Sequence, residues 1–396
     1  MDYLSTAEAA EKWGVSTRQV QRLLAADRIP TARKYGHVWM ISADADKPGD
    51  PHEGTKTAQD ALLADLEYLI AANWGQPAPH GNPEAFEDAT TDERVRLLRK
   101  SANAYLRGNF ERVKALYQTT KGDDALRLVA STSAFAAAMC TGDYPFFLET
   151  EDFVKSFAQE GNHKTVVAFA EFALSGAYVA AFAPGMVFSR FKDGDFSALP
   201  KQLILCTAYL RASYFRSLGK MESVLGVAQT ALSFCDMQQG IWFYDIYLMC
   251  FSSIACCAIG RVDEARQWLV DAMRIALPHG FITPFAELAA EWNGLLEQVL
   301  KQEYPKYYDA VTDQWKRTVP NWFDFHNHFT KDNLTRILTL RESEMARLAA
   351  QGLSNAEIAR RFHISEGRVK NILSEIYDRL LVHNRKDLAS FFANLI

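Results

Sequence analysis

The sequence predicts a mainly α-helical protein, an α-solenoid sensor flanked by a small helix-turn-helix unit at each end. Three observations predict this fold: apolar residues recur at helical spacing over most of residues 91–330, glycines mark spaced junctions there, and both ends of the chain carry helix-capping signals. The chain of 396 residues is long enough for two to three domains, and its apolar fraction of 48% supports ordinary globular cores.

The N-terminal residues 1–47 are predicted to form a winged helix-turn-helix, in which two helices are followed by a hairpin. Ser or Thr followed three residues later by Glu or Gln is the signature of a capping box at a helix start. It occurs at Ser5 with Glu8 and at Ser16 with Gln19. Gly14 supplies the left-handed residue that ends the first helix. Apolar residues then alternate over residues 34–41, which predicts a β-hairpin wing.

Basic residues gather on this segment. Residues 12–41 hold six Lys or Arg and one acid, which is typical of a surface that contacts phosphates. The opening Y-L-S-T-x-E-A-A, the R-I-P after the second helix and the W-x-I at the end of the wing resemble excisionase-like, MerR-type winged helix-turn-helix domains. The resemblance implies that four side chains enter a major groove: Arg18, Gln19, Gln21 and Arg22. It implies that three more touch the DNA backbone or minor groove: Arg33, Lys34 and His37. Some such domains bind protein partners instead, and that alternative stays open.

The middle of the chain is predicted to be a connector followed by helical repeats. Residues 48–90 are expected to hold a Pro- and Gly-rich linker (48–58) and then a helix at 59–72. Residues 91–330 are expected to be a helical repeat sensor domain, because four junctions each place a glycine between two helices. These glycines are Gly108, Gly142, Gly219 and Gly260. The separations of 34 and 41 residues within the two pairs are typical of helix-turn-helix solenoids.

The repeats resemble tetratricopeptide-type arrays, and the stretch Ala255–Leu288 resembles the sensor repeats of MalT-like regulators. Those regulators usually carry an ATPase upstream of the repeats. The sequence holds no G-x-x-x-x-G-K-[ST] phosphate-binding loop, so we expect no ATPase here. A switch in this protein would then depend on a ligand or a protein partner that binds the repeats.

The C-terminal residues 331–396 are predicted to form four short helices. Capping boxes open the first two of them, at Thr339 with Glu342 and at Ser354 with Glu357. Apolar residues at i, i+3 and i+4 would form one small core, leaving a polar face on the third helix. That face carries Ser365, Glu366, Arg368, Lys370 and Asn371. These residue types bind phosphates and base edges.

This segment resembles the four-helix DNA-binding domain of LuxR-type regulators. The resemblance is carried by L-T-L-R-E at 338–342, G-L-S-N-A-E-I-A at 352–359, I-S-E-G-R-V-K-N-I at 364–372 and the I-Y to N-R stretch at 376–385. It implies that Val369 and Lys370 face the bases, with Arg368 and Asn371 beside them. Arg368 stands where the family usually has Thr, and Ile372 where it usually has His. These departures put the family's base preference in doubt. A helical bundle without a DNA role is the alternative.

Aromatic clusters in the repeats suggest a ligand site, because the concave surfaces of solenoids bind small molecules or peptides. The candidate ligand-binding residues are Trp242, Tyr244, Tyr247 and Arg190. Packing in a core is the alternative for each of them. Asp324, His326 and His328 invite a metal interpretation, but an H-x-H pair without two more spaced ligands is a weak signal, and we predict no metal and no cofactor.

Several classes of protein are not expected. The chain has no signature of an enzyme active site, no signal-like N-terminus and no apolar run of 18 or more residues. Its six cysteines lie in apolar helical contexts without C-x-x-C spacing, which is typical of reduced core thiols. The net charge of −5 is distributed unevenly along the chain, since the middle is acidic and both ends are basic. We therefore expect DNA to meet the ends.

Together these features predict a cytoplasmic, one-component transcriptional regulator. Double-stranded DNA is the expected partner, a homodimer the expected assembly, and a small molecule or peptide the expected effector of the repeats. The alternative is a scaffold or adaptor in which the repeats bind a protein partner and only the C-terminal domain binds DNA.

Overall fold

The structure is a computed structural model that describes residues 3–35, 38–48, 53–75, 83–159, 161–234, 243–292, 294–330, 340–380 and 382–393. It is mainly helical, as predicted. The chain divides into two compact units, Met1–Ala61 and Leu62–Ile396. Thr339, which was predicted to cap a helix, lies outside the described residues.

The first unit contains two helices and a small antiparallel sheet. Its elements are β1 (Tyr3–Leu4), α1 (Thr6–Trp13), α2 (Thr17–Ala25), β2 (Arg33–Tyr35) and β3 (Val38–Ser42). The strand order is β1-β3-β2, with Tyr3 opposite Ser42 and Arg33 opposite Met40. The predicted capping box of Ser5 and Glu8 is present, and Gly14 ends α1 with a φ of 64°. The order of two helices and a hairpin follows the sequence prediction.

Helix α3 (Glu53–Trp74) starts within the segment that was predicted to be a linker. Its Leu66, Leu69 and Ile70 are fully buried and belong to a core of the second unit.

We refer to residues 62–330 as the helical body. Its further helices are α4 (Pro83–Asp88), α5 (Glu93–Leu106), α6 (Phe110–Gln118), α7 (Asp124–Thr141), α8 (Tyr144–Lys155), α9 (Lys164–Ala180), α10 (Ser189–Asp193), α11 (Ile204–Ser217), α12 (Met221–Ser233), α13 (Phe243–Ala258), α14 (Val262–Ala276), α15 (Thr283–Glu287), α16 (Leu295–Glu303) and α17 (Pro305–Thr330). Short 3-10 turns lie at Pro184–Met186, Lys201–Leu203, Leu277–His279 and Ala289–Trp292.

The four predicted junctions are confirmed as turns between paired helices. They join α5 to α6, α7 to α8, α11 to α12 and α13 to α14. The glycine at each has a left-handed φ, between 69° and 84°, which residues with a Cβ rarely adopt. The helices on either side of each turn pack against each other. Sequence periodicity therefore located the hairpins of the helical body correctly.

The helical body closes on itself, which the repeats did not predict. Helix α17 packs against α7 and α15, and α15 in turn contacts α5. Thr283 Oγ1 donates a hydrogen bond to the Tyr105 carbonyl at 2.7 Å, and Asn321 Nδ2 donates to the Cys140 carbonyl at 2.9 Å. The last helices thus return to the first ones, so the interior is a lined cavity instead of the open concave surface that the repeats alone suggest.

The described residues of the C-terminal part contain four helices: α18 (Leu340–Ala350), α19 (Asn355–Phe362), α20 (Glu366–Leu380) and α21 (Arg385–Ala393). They enclose one small core, as predicted from the spacing of apolar residues. Met345, Ile358, Phe362, Ile376 and Leu388 are buried in it. Among the described residues, no helix is both long and apolar enough to cross a membrane.

Candidate DNA interface and ligand cavity

The turn between α19 and α20 is built from local signals in the sequence. Ser354 and Glu357 form the predicted capping box: the backbone N–H of Glu357 donates to Ser354 Oγ at 3.2 Å, and that of Ser354 donates to Glu357 Oε2 at 2.7 Å. The hydrogen bonds from Ser354 lower the pKa of the Glu357 carboxyl. His363 ends α19 in a left-handed conformation, with a φ of 50°. The chain can therefore enter α20 after two further residues.

The apolar side chains on one side of α20 pack in the C-terminal core and fix the orientation of the helix. Val369, Leu373 and Ile376 are at most 3% exposed and pack in the C-terminal core. This corrects the prediction that Val369 faces the bases. Its side chain is fully buried, and a base edge in a groove can reach only the exposed side of the helix. The sequence analysis also counted Val369 in the core pattern, and that second prediction is confirmed.

The outer side of α20 presents the other predicted reading residues. Those exposed are Ser365, Glu366, Arg368, Lys370 and Asn371. Ser365 has a structural use as well, because its Oγ accepts a hydrogen bond from the Arg368 backbone N–H at 3.2 Å and so caps the helix. The structure therefore gathers two cations, an amide and a carboxylate on one exposed helix face.

Arg385 is a structural residue of this domain, and the sequence analysis assigned it no role. Its guanidinium donates to the carbonyls of Ala349 (3.4 Å) and Leu353 and to the side-chain oxygen of Asn355. It thereby links the start of α21 to the turn between α18 and α19. A lone arginine at a helix start, where the helix dipole favours acids, was the available signal that this side chain serves another purpose.

In the N-terminal unit, α2 carries the predicted polar side chains on its outer face. Val20 and Leu24 are buried, while Arg18, Gln19, Gln21 and Arg22 are exposed. Ser16 Oγ accepts a hydrogen bond from the Gln19 backbone N–H at 3.3 Å and caps the helix.

The structure describes only part of the predicted wing. Arg33 and Lys34 are exposed on β2, and Lys34 Nζ lies 5.7 Å from the Trp39 ring centroid. His37 lies outside the described residues. Lys12 points elsewhere, because its Nζ donates to the Ala43 carbonyl at 2.5 Å and to the Ala45 carbonyl at 3.3 Å. The exposed cations of this unit that lie in the predicted interface are therefore those of α2 and β2.

The helical body contains a cavity of about 190 Å³. It is lined by side chains from α5, α7, α9, α11, α13 and α17, so both early and late helices enclose it. Two of the four predicted ligand residues, Tyr244 and Tyr247, line it. Arg190 is engaged elsewhere, with its Nε 3.0 Å from Glu171 Oε2. Trp242 lies outside the described residues.

Glu287 is the polar centre of one side of the cavity. The hydroxyl of Tyr105 donates to its Oε1, the hydroxyl of Tyr247 donates to its Oε2 at 2.8 Å, and Cys140 Sγ lies 3.5 Å from Oε1. Burial raises the pKa of the Glu287 carboxyl, although these hydrogen bonds act in the opposite direction. Burial also raises the pKa of both tyrosines well above the usual range, so they remain neutral donors.

The sequence analysis missed Glu287. It lies on α15, at the end of the stretch Phe281–Glu287, in which it is the one charged residue. An isolated acid in an apolar run was the signal that could have found it, because buried carboxylates are rare unless they are bound to something.

The cysteines and acids of the chain do not form another site within the described residues. Cys140, Cys206, Cys250 and Cys256 are buried, as predicted for core thiols, and Cys257 is partly buried. Burial raises the pKa of Cys250 and Cys257, so their thiols stay protonated near neutral pH. No group of three His, Cys, Asp or Glu side chains in the described part of the chain could hold a metal ion.

Comparisons with known proteins concern the C-terminal part. Residues 336–392 match the family model described as bacterial regulatory proteins, luxR family. The transcriptional regulatory protein LnrK of Bacillus subtilis (strain 168) is 34% identical over 87 residues, which are 22% of this chain and 39% of LnrK. The uncharacterized transcriptional regulatory protein YvfU of the same organism is 43% identical over 53 residues, 13% of this chain and 26% of YvfU.

The chain thus spans well under half the length of the curated relatives that it matches. No solved structure matches it. The matched residues contain α18, the α19–turn–α20 unit and most of α21, so the family match and the geometry coincide. The C-terminal part of this chain is therefore a LuxR-type helix-turn-helix domain.

Proposed function

We propose that the protein is a one-component transcriptional regulator. Its C-terminal domain reads DNA through the outer face of α20, and an effector bound in the cavity of the helical body controls that activity. The observation that carries the proposal is the exposed set Arg368, Lys370 and Asn371 on the second helix of a helix-turn-helix that matches the LuxR family. Such side chains recognise guanine and adenine edges in a major groove.

The N-terminal unit would supply a second DNA contact. Two helices followed by a hairpin, with Arg18 and Arg22 exposed on the second helix, support the proposal that this unit is a winged helix-turn-helix. LuxR-type domains usually act as dimers that read half-sites about one helical turn apart, so we propose a homodimer as the DNA-binding species. A dimer would then present four DNA-reading units.

Contacts between the C-terminal domain and the helical body support control by an effector. A Cβ placed on Gly219, in the turn between α11 and α12, would lie 3.1 Å from Arg347 Nη1 of α18. Burial raises the pKa of Glu291 in the helical body, and the charge of Glu344, also on α18, adds to the effect. Glu291 is paired with the buried Arg216. A change of packing in the body therefore has a short route to the DNA-reading helices.

The first test replaces Lys370 by alanine. Loss of a base-reading cation should weaken binding to a DNA site selected with the wild-type protein by roughly 1–3 kcal/mol, with a smaller effect on random DNA. Lys386→Ala is the matched control, because it removes the same charge from an exposed position on α21 of the same domain. Fluorescence anisotropy on both DNAs, at one salt concentration, measures the difference.

Two results of this test would contradict the assignment. If Lys370→Ala weakens binding to the selected and the random DNA equally, Lys370 contacts phosphates only. If no DNA site can be selected with the wild-type protein, and random DNA does not bind it either, the DNA-reading function itself is refuted.

A further inference from the structure

The cavity of the helical body has the chemistry of a site for one class of ligand, and this inference rests on the proposed function in which the body binds an effector. One side of the cavity is aromatic. Tyr105, Tyr209, Phe243, Tyr244 and Tyr247 all line it. The ring centroids of Tyr209 and Tyr244 are 5.1 Å apart, and those of Phe243 and Tyr247 are 5.4 Å apart. These rings come from α5, α11 and α13, so the fold assembles them from distant parts of the sequence.

Glu287 lies among these rings, and its carboxyl group can supply a negative charge to a bound cation. It is the one acid among the described residues that line the cavity. Its hydrogen-bond partners Tyr105, Tyr247 and Cys140 are neutral groups, and no ion pair within the described part of the chain includes it. An ionised carboxylate enclosed by protein is costly unless a cation balances it.

The arginine that lines the cavity, Arg99, does not balance Glu287. Its Nη1 donates to the Phe86 carbonyl at 2.7 Å and its Nη2 to the Ala72 carbonyl at 3.2 Å. The guanidinium carbon also lies 3.7 Å from the centroid of the Phe86 ring. Arg99 is therefore committed to holding α3, α4 and α5 together. The charge of Arg216 also acts on Glu287, but Arg216 is paired with Glu291. The cavity thus offers a ligand one acid and many rings.

We propose that this cavity binds a small organic cation, an ammonium group on an apolar or aromatic body, whose charge pairs with Glu287 between the aromatic rings. The ring faces attract a cation through their quadrupoles. The carboxylate adds a charge-assisted hydrogen bond, which a neutral ligand cannot replace. The apolar body of the ligand would lie against the lining of the cavity beyond the rings, where Leu98, Val129 and Met139 are found.

The size of the cavity limits the ligand. An apolar cavity of about 150 Å³ accepts benzene, so a cavity of about 190 Å³ suits a molecule of roughly ten non-hydrogen atoms. Such a ligand carries one charge and one ring or short chain. A peptide of several residues would exceed this space.

Three probes of nearly equal shape test the charge requirement. Titration calorimetry on the full-length protein is carried out with 2-phenylethylammonium, with the neutral 2-phenylethanol and with the anionic 3-phenylpropanoate. We expect the cation to bind most tightly, by roughly tenfold or more over the alcohol, and the anion to show no binding. Equal or tighter binding of the alcohol or the anion would overturn the proposal, as would the absence of binding by the cation.

Variants identify the carboxylate. Glu287→Gln should weaken binding of 2-phenylethylammonium by roughly tenfold or more while binding of 2-phenylethanol changes little, so the alcohol reports that the cavity is still folded. Glu171→Gln is the matched control, because Glu171 is also a partly buried acid with a raised pKa but does not line the cavity. Equal loss in both variants, or none in Glu287→Gln, would refute the assignment of the charge to Glu287.

The outcome is separable from that of the proposed function. Binding of the selected DNA is measured on the same preparation without any ligand. A protein that binds DNA but not the cation retains its role as a regulator and loses only this ligand class. A protein that binds the cation but not DNA retains the cavity site and loses the regulatory role.

Discussion

Glu287 is in surroundings that carboxylates ordinarily avoid, and its protonation should be visible in the stability of the free protein. Its neighbours are Tyr105, Tyr209, Tyr247 and Cys140, which are neutral near pH 7, and Arg216 lies near enough to oppose the effect of burial in part. The net result is a pKa above the usual range. The folded state therefore holds a proton that the unfolded chain releases.

This linkage gives a prediction with a definite sign. A group whose pKa is raised by folding contributes stability that is fully present below its unfolded pKa and is lost as the pH rises through its folded pKa. In the absence of ligand, the melting temperature of the wild type should therefore fall relative to that of Glu287→Gln as the pH rises from about 4. Differential scanning calorimetry at a series of pH values measures the difference.

Glu357→Gln is a useful control for this measurement. The pKa of Glu357 is lowered by Ser354, so its contribution has the opposite sign: it is present above the unfolded pKa and is lost as the pH falls through the folded pKa. A difference between wild type and Glu287→Gln that is constant with pH would show that the Glu287 carboxyl titrates normally.

At the scale of single elements, the sequence predicted local structure well because the signals are themselves local. The capping boxes at Ser5 and Ser354, the left-handed Gly14 and the four helix junctions all depend on residues a few positions apart. The exposed face of α20 followed from the same periodicity. The role of a single residue was harder to predict. The family resemblance placed Val369 on the DNA-facing side of α20, whereas the spacing of apolar residues placed it in the core.

The same glycines also show what local reasoning leaves out. Gly108 and Gly142 were predicted as turn residues, but α17 packs against both turns. A Cβ on Gly142 would lie 2.9 Å from Asn321 Oδ1, and one on Gly108 would collide with Gln314 Oε1. Gln314 is fully buried and donates to Thr283 Oγ1 at 3.0 Å, so it cannot move without losing a hydrogen bond. A turn motif carries no information on contacts with residues so far away in the sequence.

A pair of substitutions separates the two roles of these glycines. Gly108→Ala and Gly260→Ala both place a Cβ on left-handed backbone, which costs about 1–2 kcal/mol. A Cβ on Gly260 meets nothing within 4 Å, whereas one on Gly108 collides with Gln314. Gly108→Ala should therefore be the more destabilising change, by about 1–3 kcal/mol beyond the backbone cost. Urea unfolding followed by circular dichroism compares them, and equal losses would show that Gln314 yields without cost.

For the whole molecule, the cavity was the part least accessible to sequence reasoning. Its aromatic residues Tyr244 and Tyr247 were noted, but Tyr105 and Glu287 are brought to them only by the return of the last helices onto the first. Repeat periodicity predicts pairs of neighbouring helices and carries no information on such closure. The charge distribution is different, because it can be counted along the chain. An acidic middle with basic ends predicts where DNA binds without any knowledge of packing.

That distribution gives a test of the N-terminal unit in the full-length protein. Each phosphate contact contributes about 0.9 to the slope of log affinity against log salt concentration on duplex DNA. If Arg18 and Arg22 bind phosphates or bases beside the site of the C-terminal domain, the double substitution to alanine should lower the slope by about 2. Arg112→Ala is the matched control, because Arg112 is an exposed arginine of the helical body.

The measurement requires a DNA site selected with the full-length protein, since a site selected with the C-terminal domain alone need not include the sequence that the N-terminal unit binds. Anisotropy titrations between about 50 and 200 mM salt give the slope for each variant. A slope that falls for Arg18→Ala/Arg22→Ala and not for Arg112→Ala means that both ends of the chain contact DNA at once. An unchanged slope with full affinity means that the basic face of α2 does not contact this DNA, and that the C-terminal domain alone accounts for the binding.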